Sequence, residues 1–103
     1  MFIAGVAACA AGIAHTYIAK EKLINAAEKY GHTIKVETQG TIGTQDALTP
    51  EDIEKADVIV LAVDIEITGK ERFKGKKLVE VPISVAVKNS DALIRKLAEK
   101  LES

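Results

Sequence analysis

A chain of 103 residues, 48% hydrophobic and 28% charged, is long enough for one domain around a single core and too apolar to be disordered. A formal net charge of −1, with no run of like charges longer than two, argues against nucleic-acid binding through a basic face. With two Tyr, two Phe and no Trp there is no base-stacking platform, and a single cysteine cannot form an intramolecular disulfide, which suits a reducing compartment.

The apolar run from Phe2 to Ala14 imitates the core of a secretion signal. It lacks a preceding basic region, is interrupted by Cys9 and Gly12, and is too short to span a bilayer. It is expected to be a buried strand, Phe2 to Ala8, and its following loop, in a cytoplasmic protein. A helix is expected from about Ile13 to Tyr30, with Ile13, Tyr17, Leu23, Ile24, Ala27 and Tyr30 on its inner face and Gly31 stopping it. Thr33 to Thr38 alternates, Ile34 and Val36 inward, Lys35 and Glu37 outward, as a strand near a sheet edge does.

Thr49-Pro50-Glu51-Asp52 has the pattern of a capping box with Pro at the first helical position, so a second, short helix starts there. Val58 to Val63 and Leu78 to Val81, the latter closing on Pro82, read as buried parallel strands with a short irregular helix between them. Asn89 or Ser90 caps a last helix with an apolar stripe of Leu93, Ile94, Leu97, Ala98 and Leu101.

Alternation of this kind predicts an α/β fold in three layers: a four-stranded parallel sheet with helices on both faces. Right-handed crossovers favour strand order 2-1-3-4, with winding reversed between strands 1 and 3. Ligands of such sheets lie in the crevice at that reversal, at the carboxyl ends of the strands, and Cys9 falls there.

The loop from Cys9 to Thr16 is thus expected to be a phosphate-binding cradle. Unpaired amides leading into a helix N-terminus attract anions, and the same field favours a nucleophilic thiolate. A lone cysteine is ordinarily a small buried hydrophobe; one followed by a strand-to-helix switch and Gly12 reads as a nucleophile. Gly12 allows close backbone approach, and Thr16 either donates to phosphate or caps the helix. His15 occupies the place of the phosphate-clamping arginine in the C-x5-R[ST] loop of cysteine phosphatases. Histidine there offers one titratable hydrogen bond and no permanent bidentate clamp, which suits a relay better than hydrolysis.

Elsewhere, Thr38 and Gln39 end the second strand on the same sheet edge and are candidates to orient the cradle or a partner. Asp64 ends the third strand there; it is placed like a phosphatase's general acid, although a strand-terminal Asp more often caps the following turn. Arg72 and Phe73 are candidates for loop anchoring and partner contact. Ile18 and Ala14, on the polar arc of the first helix, form a small apolar rim for docking.

At this point the chain resembles the IIB component of the bacterial sugar phosphotransferase system, in its fructose branch. That branch's loop reads C-P-T-G-I-A-H-T, and Cys9, Gly12, Ile13, Ala14, His15 and Thr16 match it. The similarity continues through Val36-Glu37-Thr38-Gln39-Gly40, Leu48-Thr49, Glu51-Asp52-Ile53, Ala56-Asp57-Val58-Ile59, Ala62 with Asp64, and Arg72-Phe73 with Gly75-Lys76, over nearly the whole chain. The resemblance implies that residues 1–103 are one IIB domain with no metal and no nucleotide. It implies that Cys9 accepts phosphate from a phosphohistidine on the IIA component and passes it to a sugar on the membrane IIC component. The backbone of Ala10, Ala11, Gly12, Ile13, Ala14, His15 and Thr16 would hold the phosphoryl group.

Ala10 and Ala11 depart from the family's Pro and Thr, removing a fixed φ and a hydroxyl donor worth a net ~1–2 kcal/mol to a charged partner. They motivate the rival readings: a small cysteine phosphatase-like protein, or a phosphate-binding regulatory domain with impaired catalysis.

Overall fold

A computed structural model describes residues 1–9, 13–40 and 43–102 of the chain. In chain order the elements are β1 (Phe2–Ala8), α1 (Ile13–Lys29), β2 (Thr33–Gly40), β3 (Gly43–Gln45), α2 (Pro50–Lys55), β4 (Val58–Val63), a 3-10 turn (Lys70–Phe73), β5 (Leu78–Val81), α3 (Ile83–Lys88) and α4 (Ser90–Glu102). The sheet has five strands in the order β3-β2-β1-β4-β5. β1 pairs in parallel with both β2 and β4, and β4 with β5, while β3 runs antiparallel to β2.

The sheet is therefore mixed and five-stranded, not the four-stranded parallel sheet expected. The added strand, Gly43-Thr44-Gln45, has no apolar residue to announce it, and all three positions are exposed or half-buried. It forms because β2 runs past Thr38 to Gly40 and offers a free edge, where Gln39 pairs with Thr44. The helix α3 is a second departure from expectation. Its Ile-Ser-Val-Ala-Val run has weak helix propensity, and it starts because Pro82 precedes it as N-cap.

Two cores flank the sheet. One packs Ile3, Ala7 and Cys9 of the β1 end under α1, α3 and α4, through Leu23, Ile83 and Ile94. The other packs Ala4, Val6, Ile59 and Leu61 against Leu48, Ile53 and Phe73. Alternation along each strand assigns its residues to one core or the other.

The inner face of α1 also differs from expectation: Thr16, Ala19, Leu23, Ala26 and Ala27 are buried, while Tyr17 and Tyr30 are exposed. Alanines, Ala19, Ala26 and Ala27, line the face of α1 turned to this core with Leu23, and the tyrosine rings lie at its flanks. On the sheet side a Cβ on Gly5 would lie 3.1 Å from Val60 Cγ1 of the neighbouring strand.

The helix ends follow local rules. After α1, the His32 N–H donates to the Ala27 carbonyl (2.8 Å) and the Gly31 N–H to that of Glu28 (3.0 Å), with Gly31 at φ +78°. This is a Schellman stop, which requires a residue tolerant of positive φ. At α2, the Asp52 N–H donates to Thr49 Oγ1 (3.1 Å) and the Thr49 N–H to Asp52 Oδ2 (2.9 Å), closing the capping box.

Candidate active site

β1 is the strand from which the sheet is built outward in both directions, with β2 on one side and β4 on the other. The chain leaves its carboxyl end at Cys9 and re-enters regular structure as α1, so the α1 N-terminus faces the same sheet edge. Ala10, Ala11 and Gly12 of the expected cradle lie outside the described residues, as do the side chains of Ile13, Ala14 and His15, whose backbone forms the start of α1.

Cys9 is 4% exposed and belongs to the core under α1. Packing therefore fixes its Cα and Cβ, and the sulfur sits where the apolar core meets the polar edge. Thr16, in the first turns of α1, is buried on the same side of the sheet. Thr38 pairs with Ala7 across the β1–β2 ladder, so alternation places it on the Cys9 face, where it too is buried.

Asp64 follows β4, and its N–H donates to the Ala8 carbonyl (3.0 Å), which brings it beside Cys9. Rather than capping the turn that follows, its carboxylate reaches sideways. Oδ1 accepts from the Ile83 N–H (3.2 Å) at the start of α3, and Oδ2 lies 3.9 Å from Cys9 Sγ, the thiol donating. One carboxylate thus links the nucleophile candidate, the end of β4 and the first amide of α3.

The opposite face of β2 holds a second polar cluster. Glu37, expected to face outward, is instead 1% exposed. The Arg72 guanidinium grips it with a two-pronged fork, Nη1 to Oε1 at 2.9 Å and Nη2 to Oε2 at 3.0 Å. Gln39 Nε2 donates to Oε2 (2.7 Å) and the Leu48 N–H to Oε1 (2.9 Å). Burial by itself pushes the Glu37 carboxyl upward, but the Arg72, Gln39 and Leu48 hydrogen bonds outweigh it and hold the group below its ordinary value.

Gln39 also exchanges two bonds with the Thr68 backbone, accepting from its N–H (2.9 Å) and donating to its carbonyl (3.0 Å). Arg72 Nε donates to the Gly69 carbonyl (2.7 Å). Phe73 is buried in the second core, with the Arg72 guanidinium 4.9 Å from its ring centre. Gln39, Arg72 and Phe73 therefore sit together, on the face of β2 away from Cys9, and pin the connection that follows Asp64. Sequence reasoning misses Glu37 and Thr68 as members of this cluster. The available signal is two polar residues, Glu37 and Gln39, at a two-residue spacing on one strand face, with Arg72 downstream.

Around the Cys9 edge, Ile18 is 42% and Tyr17 41% exposed on α1, and Ile65 is 38% exposed just after Asp64. The Tyr17 hydroxyl donates to Gln45 Oε1, and Lys20 pairs with Asp46, so α1 is tied to the β3 hairpin.

The family described as "PTS system, Lactose/Cellobiose specific IIB subunit" matches residues 4–96. The "PTS system fructose-like EIIB component 2" of Escherichia coli strain K12 is 50% identical over 99 residues, covering 96% of this chain and 93% of that protein. The "PTS system fructose-specific EIIABC component" of Bacillus subtilis strain 168 is 42% identical over 94 residues, covering 91% of this chain and 15% of that protein. A crystal structure of a domain from the fructose-specific IIABC component of Borrelia burgdorferi superposes with a TM-score of 0.88 at 46% identity, covering 92% of this chain and 90% of that one.

Proposed function

The chain belongs to the IIB family of the sugar phosphotransferase system, in its fructose-like branch, and on that premise we propose that Cys9 is a phosphoryl carrier. Sulfur attacks the phosphorus of a phosphohistidine on a IIA component. The P–N bond breaks, its electron pair stays on the imidazole, and an S–P bond forms. A sugar hydroxyl, on a sugar of the fructose class held by a membrane IIC component, then displaces the sulfur. Residues 1–103 act as one domain in this relay, at the cytoplasmic face of the membrane. No helix among the described residues is long and apolar enough to cross it.

The observation that carries the reading is the position of Cys9. It directly follows the strand at which the sheet's winding reverses, on the edge that the α1 N-terminus faces. Phosphoryl transfer is mostly positioning and charge stabilisation, so one fixed nucleophile and an amide cradle suffice. Burial of Cys9 in the core supplies the positioning. The amides from Ala10 to Thr16 and the positive end of the α1 dipole supply charge stabilisation, with His15 and Thr16 assisting. The association with IIA and IIC rests on relatives in which B is fused with A and C, as in the Bacillus subtilis EIIABC component.

The test is the complete relay. Membrane vesicles bearing a fructose-type IIC, phosphorylated IIA and labelled fructose are mixed with wild type or Cys9→Ser. Sugar phosphate formed with wild type and not with the variant is the expected result. Steady phosphate release from an aryl phosphate, without sugar phosphate, would assign the chain to hydrolysis instead.

A further inference from the structure

We infer that Asp64 is the base that takes the Cys9 thiol proton as the sulfur attacks phosphorus. This rests on the reading of Cys9 as the phosphoryl acceptor. The observation behind it is the arrangement of one carboxylate. Its Oδ2 lies 3.9 Å from Cys9 Sγ, within a sulfur hydrogen bond, and its Oδ1 accepts from the Ile83 N–H at 3.2 Å. The second bond leaves Oδ2 as the oxygen directed at the thiol. The Asp64 backbone is held as well, through its N–H on the Ala8 carbonyl, one residue before the cysteine.

The step balances. The S–H bond breaks and its proton moves to Oδ2, giving a neutral carboxyl. The sulfur electron pair forms the S–P bond, and the P–N pair remains on the donor imidazole. Neutralising Asp64 at that moment removes a carboxylate charge from beside the arriving phosphoryl group. When the phosphoryl group moves on to a hydroxyl, the Asp64 carboxyl returns its proton to the departing sulfur and the proton of the hydroxyl is released to solvent. A purely structural Asp64 would need only the Ile83 contact; the second oxygen, aimed at the one cysteine, is what that role leaves unexplained.

Among the described residues, Glu66, Lys70 and Glu80 share an open cleft with Asp64, and Lys70 is paired with Glu80 (3.1 Å). Thr16 and Thr38, buried on the Cys9 face of the sheet, carry no group that titrates in the working range, and the side chain of His15 lies outside the described residues.

The decisive variant is Asp64→Asn, which keeps an oxygen for the Ile83 N–H and loses the base. Single-turnover phosphorylation by phospho-IIA is followed by intact mass from about pH 6 to about pH 9, spanning the range in which solvent can ionise a thiol. We expect Asp64→Asn to be slowed by about 10²-fold near neutrality, with the defect shrinking as hydroxide takes over. Asp64→Glu should recover part of the rate. A rate for Asp64→Asn equal to or above wild type, or a defect of the same size at every pH, overturns the inference. If Asp64→Asn does not fold, as judged by its melting transition, the Asp64→Glu profile decides: a rate that follows pH in parallel with wild type supports a base, and one rising with hydroxide opposes it. Failure of wild type itself to take up phosphate defeats the underlying reading instead, so the two failures are distinct.

Discussion

Removing the Arg72 guanidinium leaves the Glu37 carboxylate buried, with only the Gln39 amide and the Leu48 N–H to satisfy it. Breaking a buried pair from one side costs ~3–5 kcal/mol, because the remaining charge cannot be rehydrated. Arg72→Ala should therefore lower the unfolding free energy by about 3 kcal/mol in urea denaturation, the low end applying because Arg72 is itself partly exposed. Arg72→Lys should recover only a fraction, since a single ammonium cannot reproduce the fork. The same residues set an acid limb. Glu37 has a folded value below its unfolded one, so its contribution is fully present above the ordinary value of 4.5 and is lost as pH falls through the depressed value. Wild type should lose stability below about pH 4.5, and Glu37→Gln should flatten that limb while being less stable at neutrality. A steeper acid limb in Glu37→Gln would contradict this account. Glu37 also shows where reading by alternation stops. An outward placement presumes that the far face of β2 meets water, whereas Arg72, 35 positions downstream, covers it.

At the scale of elements, the capping box of α2 and the Schellman stop of α1 follow from a few adjacent residues, and both are legible in the sequence. Thr49→Ala should cost about 1 kcal/mol by calorimetry, from one lost cap bond. Asp52 is held at about 2 by the Lys35 ammonium and the Thr49 N–H. That contribution exists above the unfolded value of 3.8 and is lost as pH falls toward 2. A Cβ placed on Gly31 would have no atom within 4 Å, so Gly31→Ala meets no clash and costs only the positive φ, ~1–2 kcal/mol. An unchanged melting temperature in Gly31→Ala would contradict the left-handed stop. Elements of low local signal are not legible in this way. β3 is Gly-Thr-Gln and exists only because β2 extends to meet it; α3 depends on Pro82 and on packing of Ile83 and Ala86. The rotation of α1 relative to expectation is likewise not legible, since hydropathy ranks tyrosine as core whereas Ala19, Ala26 and Ala27 fill the buried face with Leu23.

Across the whole molecule, the cores on the two sheet faces hold the carboxyl ends of β1, β2 and β4 in register, and these ends carry Cys9, Thr38 and Asp64 to one edge. The long apolar strands and the C-x5-H loop make that edge legible from sequence. The sideways reach of Asp64 is not, because it depends on where α3 begins. The division of β2 into two faces explains why its polar residues serve different ends: Thr38 lies with Cys9, while Glu37 and Gln39 hold the connection that Asp64 begins. The most direct test of the central claim is the intact mass of the chain after incubation with phosphorylated IIA. One added phosphate, mapped to Cys9 and lost in Cys9→Ser, is the predicted result; an unmodified wild type, or an equal adduct on Cys9→Ser, would contradict it.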